Sequence, residues 1–269
     1  MRQVFIAALL LAAASAIAQD EVRFSGASPL ADVREIARRL RAPPAPPVDL
    51  ADESFLLYVP PTMPETGYGL LVFVPPWERG SLPLGWPVVL DKAGMIFVSA
   101  LKSGNAQRVL DRRIPLALLG AVNVKKHHKI DPERVYVGGF SGGSRVAMRL
   151  ALAYPDLFKG AILNAGSDPI GDSEIPLPPA DLMRLFQERS HLAYVTGEHD
   201  RINTSKDMES IVSMRHWCQF STWSLTIPWK GHEAATANAL SRAVDYLDAH
   251  PAVDPAELAA CRATLEGGK

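Results

Sequence analysis

The sequence contains few cysteines and carries almost no net charge. Only 2 of its 269 residues are cysteine, which excludes a small scaffold held together by many disulfides. Its 28 basic and 29 acidic residues give a net charge of −1, so we expect no general electrostatic attraction to nucleic acid or to anionic membranes. Hydrophobic residues make up 48% of the chain, which excludes a disordered protein and allows one large domain or two small ones.

The N-terminus has the pattern of a secretory signal peptide. Arg2 precedes an unbroken apolar run over residues 4–14, which is shorter than the roughly 20 residues that a membrane-spanning helix needs. Ala16-Ile17-Ala18 then provides a small-x-small cleavage site. We therefore predict that residues 1–18 are cleaved and that the protein is exported to the periplasm or secreted, with no membrane attachment afterwards.

The predicted export bears on whether the two cysteines are oxidised. Cys218 and Cys261 form an even pair, and in an oxidising compartment such a pair predicts one disulfide. Two free buried thiols are the alternative, because spacing along the chain does not show that two residues are close. Neither cysteine has a partner at zinc-site spacing, so no metal site is predicted.

The remaining chain divides into an arm and one domain. Residues 19–49 are too few for a domain and contain an amphipathic helical pattern over residues 31–41, followed by a proline-rich segment. We expect them to form an arm that packs on the domain of residues 50–269.

Within that domain, short apolar runs alternate with helical patterns. The runs lack polar alternation, as expected of buried parallel strands, so the pattern predicts a mostly parallel, doubly wound α/β sheet. The predicted strands are residues 55–59, 70–74, 95–98, 135–137, 161–163, 192–195 and 223–227. The predicted helices are residues 114–128, 144–154, 180–189, 211–220 and 234–250.

One strand-to-helix junction has the sequence of a nucleophile elbow. Residues 139–143 read Gly-Phe-Ser-Gly-Gly between a predicted strand and a predicted helix, which is the context that the G-x-S-x-G motif requires. Glycines flank the serine because the turn is sharp and side chains there collide with neighbouring backbone. We predict Ser141 as a catalytic nucleophile. A glycine-rich turn without chemistry is the alternative.

A serine nucleophile needs a base, and the base needs an acid that orients it. In this fold they follow in the order Ser, Asp or Glu, His, each after a later strand. Asp200 and His232 satisfy this order and are the predicted acid and base. His199 is the rival base, and Asp168 and Glu198 are the rival acids.

Two backbone amides are expected to form the oxyanion hole. One belongs to Gly142, the residue after the nucleophile. The loop after the strand at 70–74 begins with two prolines that have no N–H, so Trp77 is the first possible second donor. We expect Phe140 and Trp229 to contact the substrate. Trp77, Trp86 and Trp229 are candidates to line the site, with core or rim positions as the alternative.

The elbow, together with the stretches at residues 55–61 and 130–137, resembles the α/β-hydrolase superfamily. Within it, the chain is similar to secreted polyhydroxybutyrate depolymerases and feruloyl esterases. The resemblance covers roughly residues 53–165, and beyond them mainly Gly197–Asp200 and Gly231–His232. It implies a Ser-His-Asp esterase without a cofactor.

Residues 166–190 hold one short predicted helix, too little for a large lid. We therefore expect an open site for a small or exposed ester, such as a short-acyl, polysaccharide or aromatic ester. A serine peptidase or other acyl hydrolase is one alternative, and a catalytically silent binding protein is another. The sequence leaves the oligomeric state open.

Overall fold

The computed structural model describes residues 20–267, so the predicted signal peptide lies outside it. One eight-stranded sheet has the order β1-β2-β4-β3-β5-β6-β7-β8. Its strands are β1 Asp20–Val22, β2 Phe55–Tyr58, β3 Tyr68–Val74, β4 Met95–Ala100, β5 Ile130–Phe140, β6 Gly160–Asn164, β7 His191–Gly197 and β8 Thr222–Ile227. The run from β4 to β8 is parallel, whereas β1 and β2 pair antiparallel at one edge.

Helices cover both faces of this sheet, as the doubly wound prediction requires. They are α1 Val33–Leu40, α2 Trp86–Ala93, α3 Ile114–His127, α4 Gly142–Ala153, α5 Ala180–Arg189, α6 Arg201–His216, α7 Ala237–Asp248 and α8 Pro255–Gly267. In β3, Leu70 and Val72 face the core shared with α3 and α4, while Leu71 and Phe73 face the core shared with α2 and α7. This alternation in a fully buried strand explains its continuous apolar sequence.

Five elements differ most from the sequence predictions. β1, α2 and α8 were not predicted, β5 begins at Ile130 rather than at residue 135, and α6 begins at Arg201 rather than at residue 211. The predicted helix over residues 211–220 overlaps α6 over residues 211–216 but misses its start, because the first turns of α6 are polar and show no apolar period. What starts the helix is its cap, since the Asp200 side chain accepts a hydrogen bond from the backbone N–H of Asn203.

The arm is attached to the domain at two places. Its strand β1 extends the sheet by pairing with β2. Its helix α1 is held by Arg39, which donates to Asp156 at 2.6 and 2.8 Å and lies over the ring of Tyr154. Residues of the arm thus pair with β2 and pack against the end of α4.

A disulfide joins Cys218 and Cys261, which confirms the predicted bond. It links α8 to the residues that follow α6 and closes a loop of 43 residues. None of the helices in the described residues is both long enough and apolar enough to cross a membrane.

Candidate active site

Ser141 occupies a sharp turn between the end of β5 and the start of α4. Its backbone has φ 56° and ψ −124°, a region that a residue with a side chain rarely adopts. The turn is held by a hydrogen bond from the Ser141 N–H to the carbonyl oxygen of Asn164 at 2.9 Å. The strained conformation lifts the hydroxyl above the carboxyl end of the sheet.

The glycines of the elbow are required by close backbone contacts. A Cβ atom at Gly139 would lie 2.4 Å from the carbonyl carbon of Gly143, and one at Gly143 would lie 2.0 Å from the carbonyl oxygen of Val74. Both distances are far inside van der Waals contact. A side chain at Gly139 or Gly143 would therefore collide with neighbouring backbone, which is the reason that the motif requires glycine. The end of β3 packs directly against the turn.

The structure brings Ser141, Asp200 and His232 together from three separate strand ends. Nε2 of His232 lies 2.9 Å from Oγ of Ser141, and Nδ1 lies 2.6 Å from Oδ2 of Asp200. With Nδ1 protonated, the imidazole donates to the carboxylate and Nε2 accepts from the serine hydroxyl. This is the arrangement in which a serine loses its proton to a histidine.

Asn203, which the sequence reasoning missed, fixes the carboxylate. Its side-chain amide donates to both oxygens of Asp200, at 2.9 Å each. Burial by itself raises the pKa of Asp200, but the hydrogen bonds from His232 and Asn203 outweigh it and hold that pKa below its ordinary value. An Asp three residues before an Asn at a helix start was the signal that could have found this contact.

The rival acids and base make their contacts elsewhere. His199 is exposed, with its ring 6.1 Å from that of Trp229, and Glu198 accepts from the backbone N–H of Trp229 at 2.9 Å. Asp168 forms an ion pair with Arg145. The geometry therefore favours Asp200 and His232.

Arg113 links the two segments that were predicted to supply the oxyanion hole. Its guanidinium donates to the carbonyl oxygen of Pro75 at 2.8 Å and to that of Gly142 at 3.4 Å. A third hydrogen bond, from Nε to the carbonyl oxygen of Ser103 at 3.0 Å, fixes the side chain, which is only 3% exposed. Burial lowers the pKa of Arg113 to about 10, so it remains charged at neutral pH. Nothing in the sequence pattern identified this residue.

Aromatic rings line the histidine side of the site. The ring centroid of Phe140 lies 4.9 Å from that of His232, and the Trp77 ring lies 6.1 Å from Phe140. Trp229 is 82% exposed beside His199. Trp86 does not line the site, because it is 2% exposed in the core and donates to the carbonyl oxygen of Ala235.

Within residues 20–267, no three His, Cys, Asp or Glu side chains are placed to bind a metal ion. The hydrogen-bonded groups at the site are a hydroxyl, an imidazole and a carboxylate. Such a set can perform nucleophilic acyl transfer with the protein's own side chains.

Parts of the chain are similar to known esterases and depolymerases. The model of the family described as Esterase PHB depolymerase matches residues 102–214, which include Ser141 and Asp200. A segment of 44 residues is 50% identical to Poly(3-hydroxyalkanoate) depolymerase C of Paucimonas lemoignei. That segment is 16% of this chain and spans only 11% of the relative's length.

Solved structures show a similar fold at low identity. S-formylglutathione hydrolase from Staphylococcus aureus matches with a TM-score of 0.57 and 10% identity, over 72% of this chain and 92% of that one. An arylesterase matches with a TM-score of 0.55 and 13% identity, over 81% and 90% of the two chains. At these identities the likeness concerns the fold.

Proposed function

We propose that this chain, which has the α/β-hydrolase fold, is a carboxylic ester hydrolase with Ser141 as its nucleophile. The observation that carries the proposal is the continuous hydrogen-bonded series from Ser141 through His232 to Asp200. The three side chains come from different loops at one sheet edge, where open α/β sheets bind ligands. The match to an esterase family over residues 102–214 supports the ester bond as the target.

The reaction proceeds in two halves. Nε2 of His232 takes the hydroxyl proton as Oγ of Ser141 attacks the ester carbonyl carbon, and Asp200 stabilises the imidazolium. The backbone amides of Gly142 and Trp77 are assigned to the carbonyl oxygen as it becomes negative. The imidazolium then gives its proton to the departing alcohol, and the acyl group remains on Ser141. Water, deprotonated by His232, attacks the acyl-enzyme and releases the acid.

We propose a small or exposed ester as the substrate and export as the setting. One short helix, α5, lies between β6 and β7, which leaves little chain for a cover over the site. The relative from Paucimonas lemoignei is named as a polyester depolymerase, which is consistent with an exposed ester bond. The disulfide and the signal-like N-terminus support an oxidising compartment.

Hydrolysis of p-nitrophenyl acetate, butyrate and octanoate by the wild type and by Ser141→Ala tests the proposal. We expect turnover by the wild type, highest for the shorter chains, and a loss of at least about 10⁴-fold in the variant. Equal rates in the two proteins would refute Ser141 as the nucleophile. Cleavage of a peptide p-nitroanilide in preference to every ester would indicate a peptidase, and no turnover of either would indicate a silent scaffold.

A further inference from the structure

A large cavity begins beside the nucleophile and is not used by the mechanism above. Its volume is about 680 Å³, within the usual range for small-molecule sites. The walls come from α4, from the turn at Val109–Arg113, from arm residues 39–43 and from the loop at residues 173–178. Gly142 and Asn105 mark its end at the elbow. We call this cavity the basic pocket, because of its charges.

Positive side chains outnumber negative ones along the basic pocket. Arg39 is neutralised from outside it, by Glu35 and Asp156. Arg113 is also already used, since its guanidinium donates to three carbonyl oxygens and its charge interacts with Glu78. Among the other lining residues, four cations accompany two carboxylates, which leaves a net charge of +2. The cations are Arg41, Arg145, Arg149 and Lys206, and the carboxylates are Asp168 and Glu174.

The two carboxylates do not neutralise these cations. Asp168 is shared, since it pairs with Arg145 and also lies 3.7 Å from Arg149 and 3.9 Å from Lys206. Glu174, 3.4 Å from Arg149, is mostly exposed, so solvent weakens that pair. The structure places no carboxylate of residues 20–267 within ion-pair distance of Arg41. A partly enclosed excess of guanidinium groups favours a bound anion, above all a carboxylate that they can grip with paired hydrogen bonds.

The rest of the wall is apolar. Val109, Leu110, Val146 and Ile175 line the basic pocket, and along α4 Val146 lies between Gly142 and Arg149. A few methylene groups would pack there, and an anion at their far end would reach the guanidinium groups. The wall thus fits a chain that is apolar near the ester and charged at its tip.

The position of the basic pocket identifies which half of an ester it receives. The departing alcohol takes its proton from Nε2 of His232, so the alcohol half lies on the histidine side, near Phe140. Phe140 and His232 do not line the basic pocket, which meets the site at Gly142. Of the two halves of the ester, the acyl half is therefore the one placed to enter it.

We propose that the basic pocket binds the acyl chain of an ester whose acyl group ends in a carboxylate. This inference rests on the proposed ester hydrolysis and names the substrate class of the same site. The carboxylate pairs with Arg149 and Arg41, and the methylene groups lie on the apolar wall.

A matched pair of substrates tests the inference. One is the p-nitrophenyl monoester of adipic acid and the other is its methyl-capped diester, which has the same chain without the charge. We expect the wild type to favour the acid by about tenfold or more in kcat/KM, and Arg149→Met to reduce this preference about tenfold. Arg41→Gln should also reduce the preference for the acid. Because Arg41 is an exposed residue of the arm, this variant tests the inference even if Arg149→Met fails to fold.

Arg189→Met is the matched control, because it removes one exposed positive charge outside the basic pocket. It should keep the wild-type preference for the acid. Hydrolysis of both esters without such a preference, or an equal loss in the control, would overturn the inference and leave the proposed function standing.

Calorimetric titration with adipate gives a readout that does not need turnover. Binding by the wild type, weakened in Arg149→Met and Arg41→Gln, supports the basic pocket even if neither ester is cleaved, and in that case the proposed function alone fails. No adipate binding, or tighter binding of inorganic phosphate than of adipate, would overturn the proposed carboxylate specificity.

Discussion

Two regions that meet at Gly142 differ in how completely their charged groups are paired. The catalytic corner, formed by Ser141, His232, Asp200 and Asn203, has one carboxylate whose oxygens receive hydrogen bonds from an imidazole and an amide. The basic pocket has four cations around two carboxylates, apart from Arg39 and Arg113, whose partners are already in place. The carboxylate of the corner is paired before a ligand binds, whereas the basic pocket keeps an excess of positive charge.

The difference separates chemistry from recognition. A proton can move along a defined path only if each donor and acceptor is held in place before the substrate arrives. In a specificity pocket, by contrast, charged groups that are unpaired in the free protein are available to the ligand. We therefore expect substitutions in the corner to lower the rate for every ester, and substitutions in the basic pocket to change the choice between esters.

The largest expected effect comes from His232→Ala, which removes the base from the corner. Activity on both adipate esters should fall by at least about 10⁴-fold, because Ser141 keeps its proton. His199→Ala, an exposed histidine on the neighbouring loop, is the control and should retain most activity in the same assays. If the two results were reversed, His199 would be the base.

Arg113→Met should lower kcat by about 10- to 100-fold for both esters, with a smaller change in KM. Arg113 connects Pro75 to Gly142, and its loss frees the two segments that carry the assigned oxyanion amides. Arg113→Lys retains the charge without the planar fork and should recover only part of the rate. If both variants lost only the preference for the acidic ester, Arg113 would belong to the basic pocket and not to the corner.

Asn203→Ala should lower kcat by about tenfold, through the lost hydrogen bonds to Asp200. The pKa of Asp200 is lower in the folded protein than in the unfolded chain, so the ionised carboxylate stabilises the fold. This stabilisation is fully present above the ordinary pKa of about 3.9 and is lost as the pH falls through the lowered pKa of the folded protein. The variant should therefore unfold more easily at neutral pH, by about 1 kcal/mol, and the difference should narrow in acid.

Urea unfolding at several pH values measures this change. Ser205→Ala on the same helix is the control, since Ser205 is exposed. A constant difference between Asn203→Ala and the wild type down to strongly acidic pH would show that the Asn203 amide does not act through the Asp200 carboxylate.

Salt should have the smallest effect, and only on the basic pocket. Raising the ionic strength from about 0.01 to 0.5 M screens partly exposed charges, so the preference for the acidic ester should fall by about two- to fivefold. The neutral ester serves as the internal control, because the corner is paired before the substrate binds. An equal loss of activity on both esters would show that salt does not act on the basic pocket alone.

Local sequence patterns were sufficient for most of the fold. Short apolar runs located seven strands, and the residue order after them located Ser141, Asp200 and His232. Two of the misses show what such patterns leave out. Strand β1 has three residues and exists because it pairs with β2, and the start of α6 depends on a cap without any apolar period.

Arg113 and Asn203 were missed for different reasons. Arg113 belongs to no motif and acts on atoms far along the chain, the carbonyl oxygens of Pro75 and Gly142. Asn203 lies only three residues after Asp200, but its contact depends on the helix start that the sequence pattern did not show. The basic pocket draws its cations from the arm, α4 and α6. Their separation along the chain hides the local excess of charge in a protein whose net charge is −1.

The sequence by itself determined the strand order along the chain, the elbow and the three residues predicted to react there, because these follow from short-range periodicity and from fixed backbone requirements. Only the tertiary structure decided what joins the loops beside Gly142 and where positive charge accumulates. Those properties depend on distances between residues far apart in the chain, which electrostatic and hydrogen-bond energies sense and local patterns do not.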